Sequence, residues 1–219
     1  MEINELASMV DHTLLSPDAT ASDINQLCQE AEHFGCAAVC VNPSWVRQAS
    51  LGLSDSQVAV CSVVGFPLGA SCSQSKAQEA ALACSHGAQE IDMVINLGRF
   101  LSGQNAAVRE DIMRVRESCP EAQLKVIIES AALDELQIAR VCGIAIEAGA
   151  DWLKTSTGMH QAGGASEKAV KMISQSVAGK AKVKASGAIR SLAQAQAMID
   201  AGASRLGLSS TVTILEEQQ

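Results

Sequence analysis

Aromatic residues are nearly missing from this chain, at 2% of 219 positions. A core without aromatic bulk must be filled by Ala, Val, Ile, Leu and Met. The hydrophobic content of 47% is high enough to exclude a disordered chain. No apolar run approaches bilayer-spanning length, and the opening Met1-Glu-Ile-Asn-Glu5 carries acids where a secretory leader carries bases. Basic charge is in deficit too: a net charge of -8 argues against nucleic acid or an anionic membrane as partner. The eight cysteines form no C-x-x-C pair and several fall in strand-like runs, so they read as reduced thiols of a cytoplasmic protein. The four histidines (12, 33, 86, 160) lack metal-ligand spacing. Neither a metal nor a cofactor is expected.

What is present is a repeat. A helical pattern ends in Gly, a small residue follows, and a strand begins: Phe34-Gly-Cys-Ala-Ala-Val39, His86-Gly-Ala-Gln-Glu-Ile91, Ala148-Gly-Ala-Asp-Trp-Leu153 and Ala201-Gly-Ala-Ser-Arg-Leu206. Glycine just past a helix end supplies the left-handed conformation that closes it. Eight strand-like runs alternate with helical ones: 9–13, 37–41, 58–64, 90–96, 124–129, a run around Lys154, one around Lys184, and 204–208. Ser22 is the expected cap of the first long helix, Gly98–Gly103 is expected to be a loop, and Ala77, Ala80, Ala81 and Cys84 are the expected inward face of the helix over 73–86. No linker divides the chain. This pattern predicts an α/β fold, a (β/α)8 TIM barrel forming a single domain over 1–219. An open doubly wound sheet is the alternative, but no G-x-G-x-x-G follows the first strand and no Walker loop occurs.

Two of those strands are centred on lysine: Asp151-Trp-Leu-Lys-Thr-Ser-Thr-Gly158 and Lys182-Val-Lys-Ala-Ser-Gly-Ala-Ile189. Lysine is almost never fully buried unless it is paired or has a task. Each lysine alone reads best as a rim residue reaching for solvent, and Asp92 alone reads equally well as a structural hydrogen bonder. Strand alternation puts Glu90, Asp92, Val94 and Asn96 on one face, and Lys182, Lys184 and Ser186 on another. If those faces line a barrel, Asp92, Lys154 and Lys184 converge. Two ammonium groups so close cannot both stay charged, and the one that loses its proton can attack an aldehyde to form a Schiff base. A carboxylate between them serves as a proton relay. Beyond the seventh and eighth strands, Gly187-Ala188-Ile189 and Gly207-Leu-Ser209-Ser210 offer backbone N–H groups where barrels commonly hold phosphate.

These residues carry a resemblance. Asp11-His-Thr-Leu-Leu15, Ala38-Val-Cys-Val-Asn-Pro43, Val64-Gly-Phe-Pro-Leu-Gly69, Glu90-Ile-Asp-Met-Val-Ile-Asn96, Val126-Ile-Ile-Glu129, Lys154-Thr-Ser-Thr-Gly158 and Val183-Lys-Ala-Ser-Gly187 resemble, in order, the deoxyribose-phosphate aldolase family. The resemblance implies a metal-free class I aldolase of deoxyribonucleotide catabolism. Such an enzyme cleaves 2-deoxy-D-ribose 5-phosphate reversibly to acetaldehyde and D-glyceraldehyde 3-phosphate. It implies Lys154 as the Schiff-base lysine, Lys184 as the lysine that lowers its pKa, and Asp92 as the relay acid. Asp11 and Thr13 match a first-strand pair that orients the network and the sugar. Thr157, Gly158, Gly187, Ala188, Gly207, Ser209 and Ser210 are expected to contact substrate or its phosphate, and Cys40 matches a pocket-lining cysteine. The chain departs from the family at Ala188, where a second glycine is usual, and at Met159, where Phe or Lys is commoner. Both bear on phosphate affinity. An aldolase preferring unphosphorylated aldehydes and a non-catalytic sugar-phosphate binder are the rival readings. Barrels of this size often pair through helix faces, so a homo-oligomer is allowed.

Overall fold

The computed structural model describes residues 2–217. Its strands are β1 (Val10–Leu14), β2 (Ala38–Val41), β3 (Ala59–Val64), β4 (Glu90–Val94), β5 (Gln123–Ile127), β6 (Trp152–Lys154), β7 (Lys182–Ser186) and β8 (Arg205–Leu208). All neighbours pair in parallel and β8 closes on β1, which makes the (β/α)8 barrel that the repeat predicts. The open-sheet alternative is excluded. Helices α1 (Ile3–Ala7), α2 (Ala21–Phe34), α3 (Val46–Gly52), α4 (Ser73–Ser85), α5 (Leu97–Leu101), α6 (Asn105–Ser118), α7 (Glu135–Glu147), α8 (Glu167–Val177), α9 (Leu192–Asp200) and α10 (Thr211–Glu216) follow in chain order.

Local sequence fixes the boundaries. Asp134 caps α7 in a reciprocal capping box with Gln137, and Gly35, at φ 70°, ends α2 in the left-handed conformation. Three expectations need correction. The cap of α2 is Thr20, which exchanges hydrogen bonds with Asp23, because Ser22 already lies within the helix. The loop expected at 98–103 is in part α5, started by the Asn96 side chain accepting the Arg99 N–H. On α4 the buried face is Lys76, Ala80 and Ala83, not Ala77, Ala81 and Cys84. The helix is turned because Lys76 is drawn inward: its Nζ lies 2.6 Å from Asp111 Oδ2 and 2.8 Å from the Val94 carbonyl.

Strand alternation then builds two layers. Outward residues such as Val39, Ile91, Met93, Leu124, Val126, Leu153 and Leu206 are buried with Ile24, Ile112, Val141, Ile173 and others beneath the helices. Burying each such aliphatic side chain contributes about 1.5–3 kcal/mol. Inside the barrel, a small apolar cluster of Ala38, Cys40, Cys61 and Val63 occupies the β2–β3 side. The remaining interior is mainly charged, with Val94, Ile127 and Trp152 buried on the same faces.

Candidate active site

Asp11, Glu90, Asp92, Lys125, Lys154, Lys184 and Arg205 come from β1, β4, β5, β6, β7 and β8 and point into one volume. All but the partly buried Arg205 are buried. Asp92 is the hub. Its Oδ2 accepts from Lys154 Nζ and Lys184 Nζ at 2.7 Å each, and its Oδ1 accepts from Lys125 Nζ at 2.8 Å and the Cys61 thiol at 3.1 Å. Lys184 also bonds Asp11, whose other oxygen takes Arg205 at 2.6 Å. Below them Lys125 pairs with Glu90 at 2.6 Å. The expected convergence of Asp92, Lys154 and Lys184 is therefore present, with the carboxylate standing between the two amines.

Burial alone would raise the Asp92 carboxyl, but Lys125, Lys154 and Lys184 outweigh it and hold it well below the usual carboxylate range. Asp11 is lowered for the same reason, with Lys184, Lys125 and Arg205 overcoming its burial. Burial would strip Lys184 of its proton, yet Asp11 and Asp92 reverse this and hold it charged. Lys125 is likewise raised, against its burial, chiefly by Asp92.

A pocket of about 340 Å³ opens above this cluster at the C-terminal ends of the strands, as barrel sites do. Its wall includes Lys154 but not Lys184, Lys125, Asp92 or Asp11, so one interior lysine meets the pocket and the others lie a layer deeper. Of the other expected residues, Thr13, Thr157, Gly158, Gly187, Ala188, Gly207 and Ser209 line the pocket, with Met159. Ser210 is not in the wall; it precedes α10. Cys40 is not in the wall either: it is fully buried opposite Cys61 in the apolar cluster below. Ala188 has φ 64°, the left-handed conformation that its replacement of glycine makes costly. Gly158, Gly164 and Gly187 touch backbone to backbone: a Cβ on Gly187 would lie 2.8 Å from Gly158 Cα, and one on Gly164 2.4 Å from the Gly187 carbonyl oxygen.

Among the residues of the site that escape the sequence reading are Lys125, Arg190, Arg205 and Glu129. Lys125 sits in an apolar strand run just as Lys154 does, and that same signal would have found it. Arg190 lines the pocket beside Ala188 and Ile189, a cation at the expected anion site. Arg205 gives no signal, since an arginine at a strand start is common. Glu129, buried at φ 52°, accepts the Thr157 N–H at 2.9 Å and so fixes the loop after Lys154. Two groups of donor atoms lie within 4.8 Å of one another, Cys40–Cys61–Asp92 and Asp11–Cys61–Glu90. Their carboxylates already accept from ammonium or guanidinium groups, and a divalent cation would face that positive charge.

Fold and site together define a barrel enzyme with a lysine-centred interior. Residues 6–215 match the family model described as the DeoC/LacD family aldolases. The chain belongs to that family and is an aldolase, a carbon–carbon lyase. The deoxyribose-phosphate aldolase of Mycolicibacterium paratuberculosis is 52% identical over 216 residues, covering 97% of this chain and 96% of the relative. That of Kocuria rhizophila is 52% identical over 213 residues, with 97% and 96% covered. The structure of a deoxyribose phosphate aldolase from Aeropyrum pernix, described as uniquely tetrameric, superimposes with a TM-score of 0.93. It is 34% identical, covering 99% of this chain and 92% of that one. Among the described residues, no helix is long and apolar enough to cross a membrane.

Proposed function

We propose that this aldolase cleaves 2-deoxy-D-ribose 5-phosphate reversibly to acetaldehyde and D-glyceraldehyde 3-phosphate through a Schiff base on Lys154. One observation carries the reading: of three interior lysines bonded to Asp92, only Lys154 reaches the pocket. The surrounding charges pair among themselves, Lys125 with Glu90, Lys184 with Asp92 and Arg205 with Asp11.

The Lys154 lone pair attacks C1 of the open-chain sugar, water leaves, and a protonated imine forms. Loss of the C3 hydroxyl proton breaks C2–C3, the imine accepts the electron pair as an enamine, and glyceraldehyde 3-phosphate departs. Protonation at C2 and hydrolysis then release acetaldehyde and restore Lys154. Asp92, anionic at rest, orients Lys154 and relays protons with Lys184. Asp11 keeps Lys184 charged, and Thr13 takes the sugar. The phosphate is held by N–H groups around Gly187, Ala188, Gly207 and Ser209 and by Arg190. On this reading residues 1–219 work as one cytoplasmic domain on small molecules, with neither nucleic acid nor membrane as partner.

Acetaldehyde with borohydride should leave a two-carbon adduct on Lys154, read by peptide mass spectrometry; its absence there would sink the mechanism. A second reading is favoured by Ala188 and by Met159, which is exposed at the pocket wall. It is an aldolase preferring unphosphorylated aldehydes, and equal kcat/KM for deoxyribose and its 5-phosphate would select it.

A further inference from the structure

Glu129 stands where a side chain is costly. Its backbone is left-handed, at φ 52° and ψ 56°, a conformation that glycine takes freely and other residues resist. The side chain is buried, with 3% exposed, and its Oε2 has no hydrogen-bond partner among the described residues. Neither feature stabilises the fold, and backbone strain of this kind gathers at functional sites. What the residue supplies is one acceptor: Oε1 takes the Thr157 N–H at 2.9 Å. Glu129 is absent from the wall of the lysine pocket and borders a neighbouring cavity of about 400 Å³, while Thr157 lines both. The carboxylate therefore reaches Thr157 from behind, without touching a substrate held above Lys154.

Two sets of contacts divide the segment that begins at Lys154. The lysine itself is anchored from both flanks. Its carbonyl accepts the Ile128 N–H at 3.1 Å, the Thr155 N–H donates to the Lys184 carbonyl at 3.0 Å, and its Nζ bonds Asp92. The hydroxyls of Thr155 and Ser156 then tie the chain to the Ser186 carbonyl, at 3.1 and 2.6 Å. Past Ser156 the support changes. Thr157 has its bond to Glu129, and Gly158 rests so closely on β7's end that a Cβ there would lie 3.2 Å from Gly187 Cα. Gly187 and Ala188 carry N–H groups assigned above to the phosphate.

We propose that Glu129 is a positioning residue for phosphate recognition, a role that rests on the substrate proposed above. By holding the Thr157 N–H it sets Gly158 against Gly187, and through that backbone contact it sets the N–H groups that receive the 5-phosphate. Lys154 keeps its own anchors on β4, β5 and β7, so the carbon–carbon chemistry does not depend on Glu129. One loop thus serves two tasks, and Glu129 governs the second.

The test compares wild type with three variants of the whole protein. Glu129→Met keeps the volume but offers the N–H only a weak acceptor, Glu129→Gly accepts the left-handed backbone without the side chain, and Glu129→Gln keeps a carboxamide oxygen as acceptor. Each is first trapped with acetaldehyde and borohydride, a phosphate-free probe of Lys154, and the adduct should form at the wild-type rate. KM for deoxyribose 5-phosphate should rise about tenfold in Glu129→Met and Glu129→Gly, as loss of one hydrogen bond to a charged group allows. Turnover of that sugar, and kcat/KM for unphosphorylated deoxyribose, should stay near wild type. Glu129→Gln should keep the wild-type KM. Loss of trapping in both Glu129→Met and Glu129→Gly would make the residue structural and overturn the proposal. So would an unchanged KM, an equal fall in kcat/KM for both sugars, or a Glu129→Gln variant that behaves like Glu129→Met. A wild-type enzyme that traps acetaldehyde yet shows no preference for the phosphate would overturn the substrate reading itself, and this role with it.

Discussion

The sleeve between strands and helices and the space within the barrel are made from alternate residues of the same strands, yet they are stabilised by opposite means. Leu124 and Lys125 are neighbours on β5 and neither has any exposed surface. Leu124 meets aliphatic side chains that any similar shape could replace. Lys125 meets Asp92, Glu90 and Cys61, and neither carboxylate can be altered alone without leaving buried positive charge in excess. The sleeve is tolerant and redundant. The interior is a single interdependent unit, which is what a site needs if one amine is to differ from its neighbours.

The largest effect expected from breaking that unit is on turnover. Lys154→Ala should lower deoxyribose 5-phosphate cleavage at least about ten-thousandfold, the scale on which loss of a nucleophile acts. The variant should still unfold cooperatively, and activity above a tenth of wild type would refute the role. Next come the two β5 neighbours, compared by denaturant unfolding. Leu124→Ala should cost about 2–5 kcal/mol through cavity formation. Lys125→Met should cost about 3–5 kcal/mol by removing the ammonium that Asp92 and Glu90 share. The distinction lies in rescue: Glu90→Gln should restore part of the Lys125→Met loss and none of the Leu124→Ala loss. Rescue of both, or of neither, would erase the contrast drawn above.

A smaller gain is expected at Ala188. Glycine there relieves left-handed strain of about 1 kcal/mol, offset in part by the greater freedom of glycine in the unfolded chain. KM for the phosphorylated sugar should fall; an unchanged KM would separate the strained backbone from phosphate binding.

The smallest effect lies on the outward face of β1, at His12. Burial lowers its pKa below the ordinary 6.5, although Glu30, 2.8 Å away, pulls the other way. The unfolded chain thus binds the extra proton first, so this stabilisation is complete above pH 6.5 and is lost as pH falls through the folded value. Asp11 and Asp92, lowered from 3.8, give way only in still stronger acid. Melting temperature against pH should slope downward below 6.5 in the native protein and flatten in His12→Gln. An identical slope in both would assign it to another group.

The barrel was legible because its strands are short, mostly apolar runs and its helices are followed by Gly, signals that reside within a few residues. Lys154, Lys184 and Asp92 were legible because charge in a buried strand is conspicuous. Lys125 met that criterion and was passed over. Arg205 and Glu129 were not legible at all, since their meaning depends on partners 194 and 28 residues away. The expected place of Cys40 in the pocket wall failed for a related reason. Strand alternation tells inward from outward but not which inward residues reach the pocket, and Cys40 is inward yet covered. Lys76 turned α4 because a single buried ion pair outweighed a stripe of small, weakly apolar alanines.

The contact among Gly158, Gly164 and Gly187 has a consequence for how this enzyme could diversify. That side of the mouth is surfaced by peptide groups, with no side chain for point mutation to exchange. New substrate preferences must therefore be acquired at its borders, at Met159, Ala188 or Arg190, or by lengthening the loops themselves. The lysine chemistry beneath would be inherited unaltered through such changes.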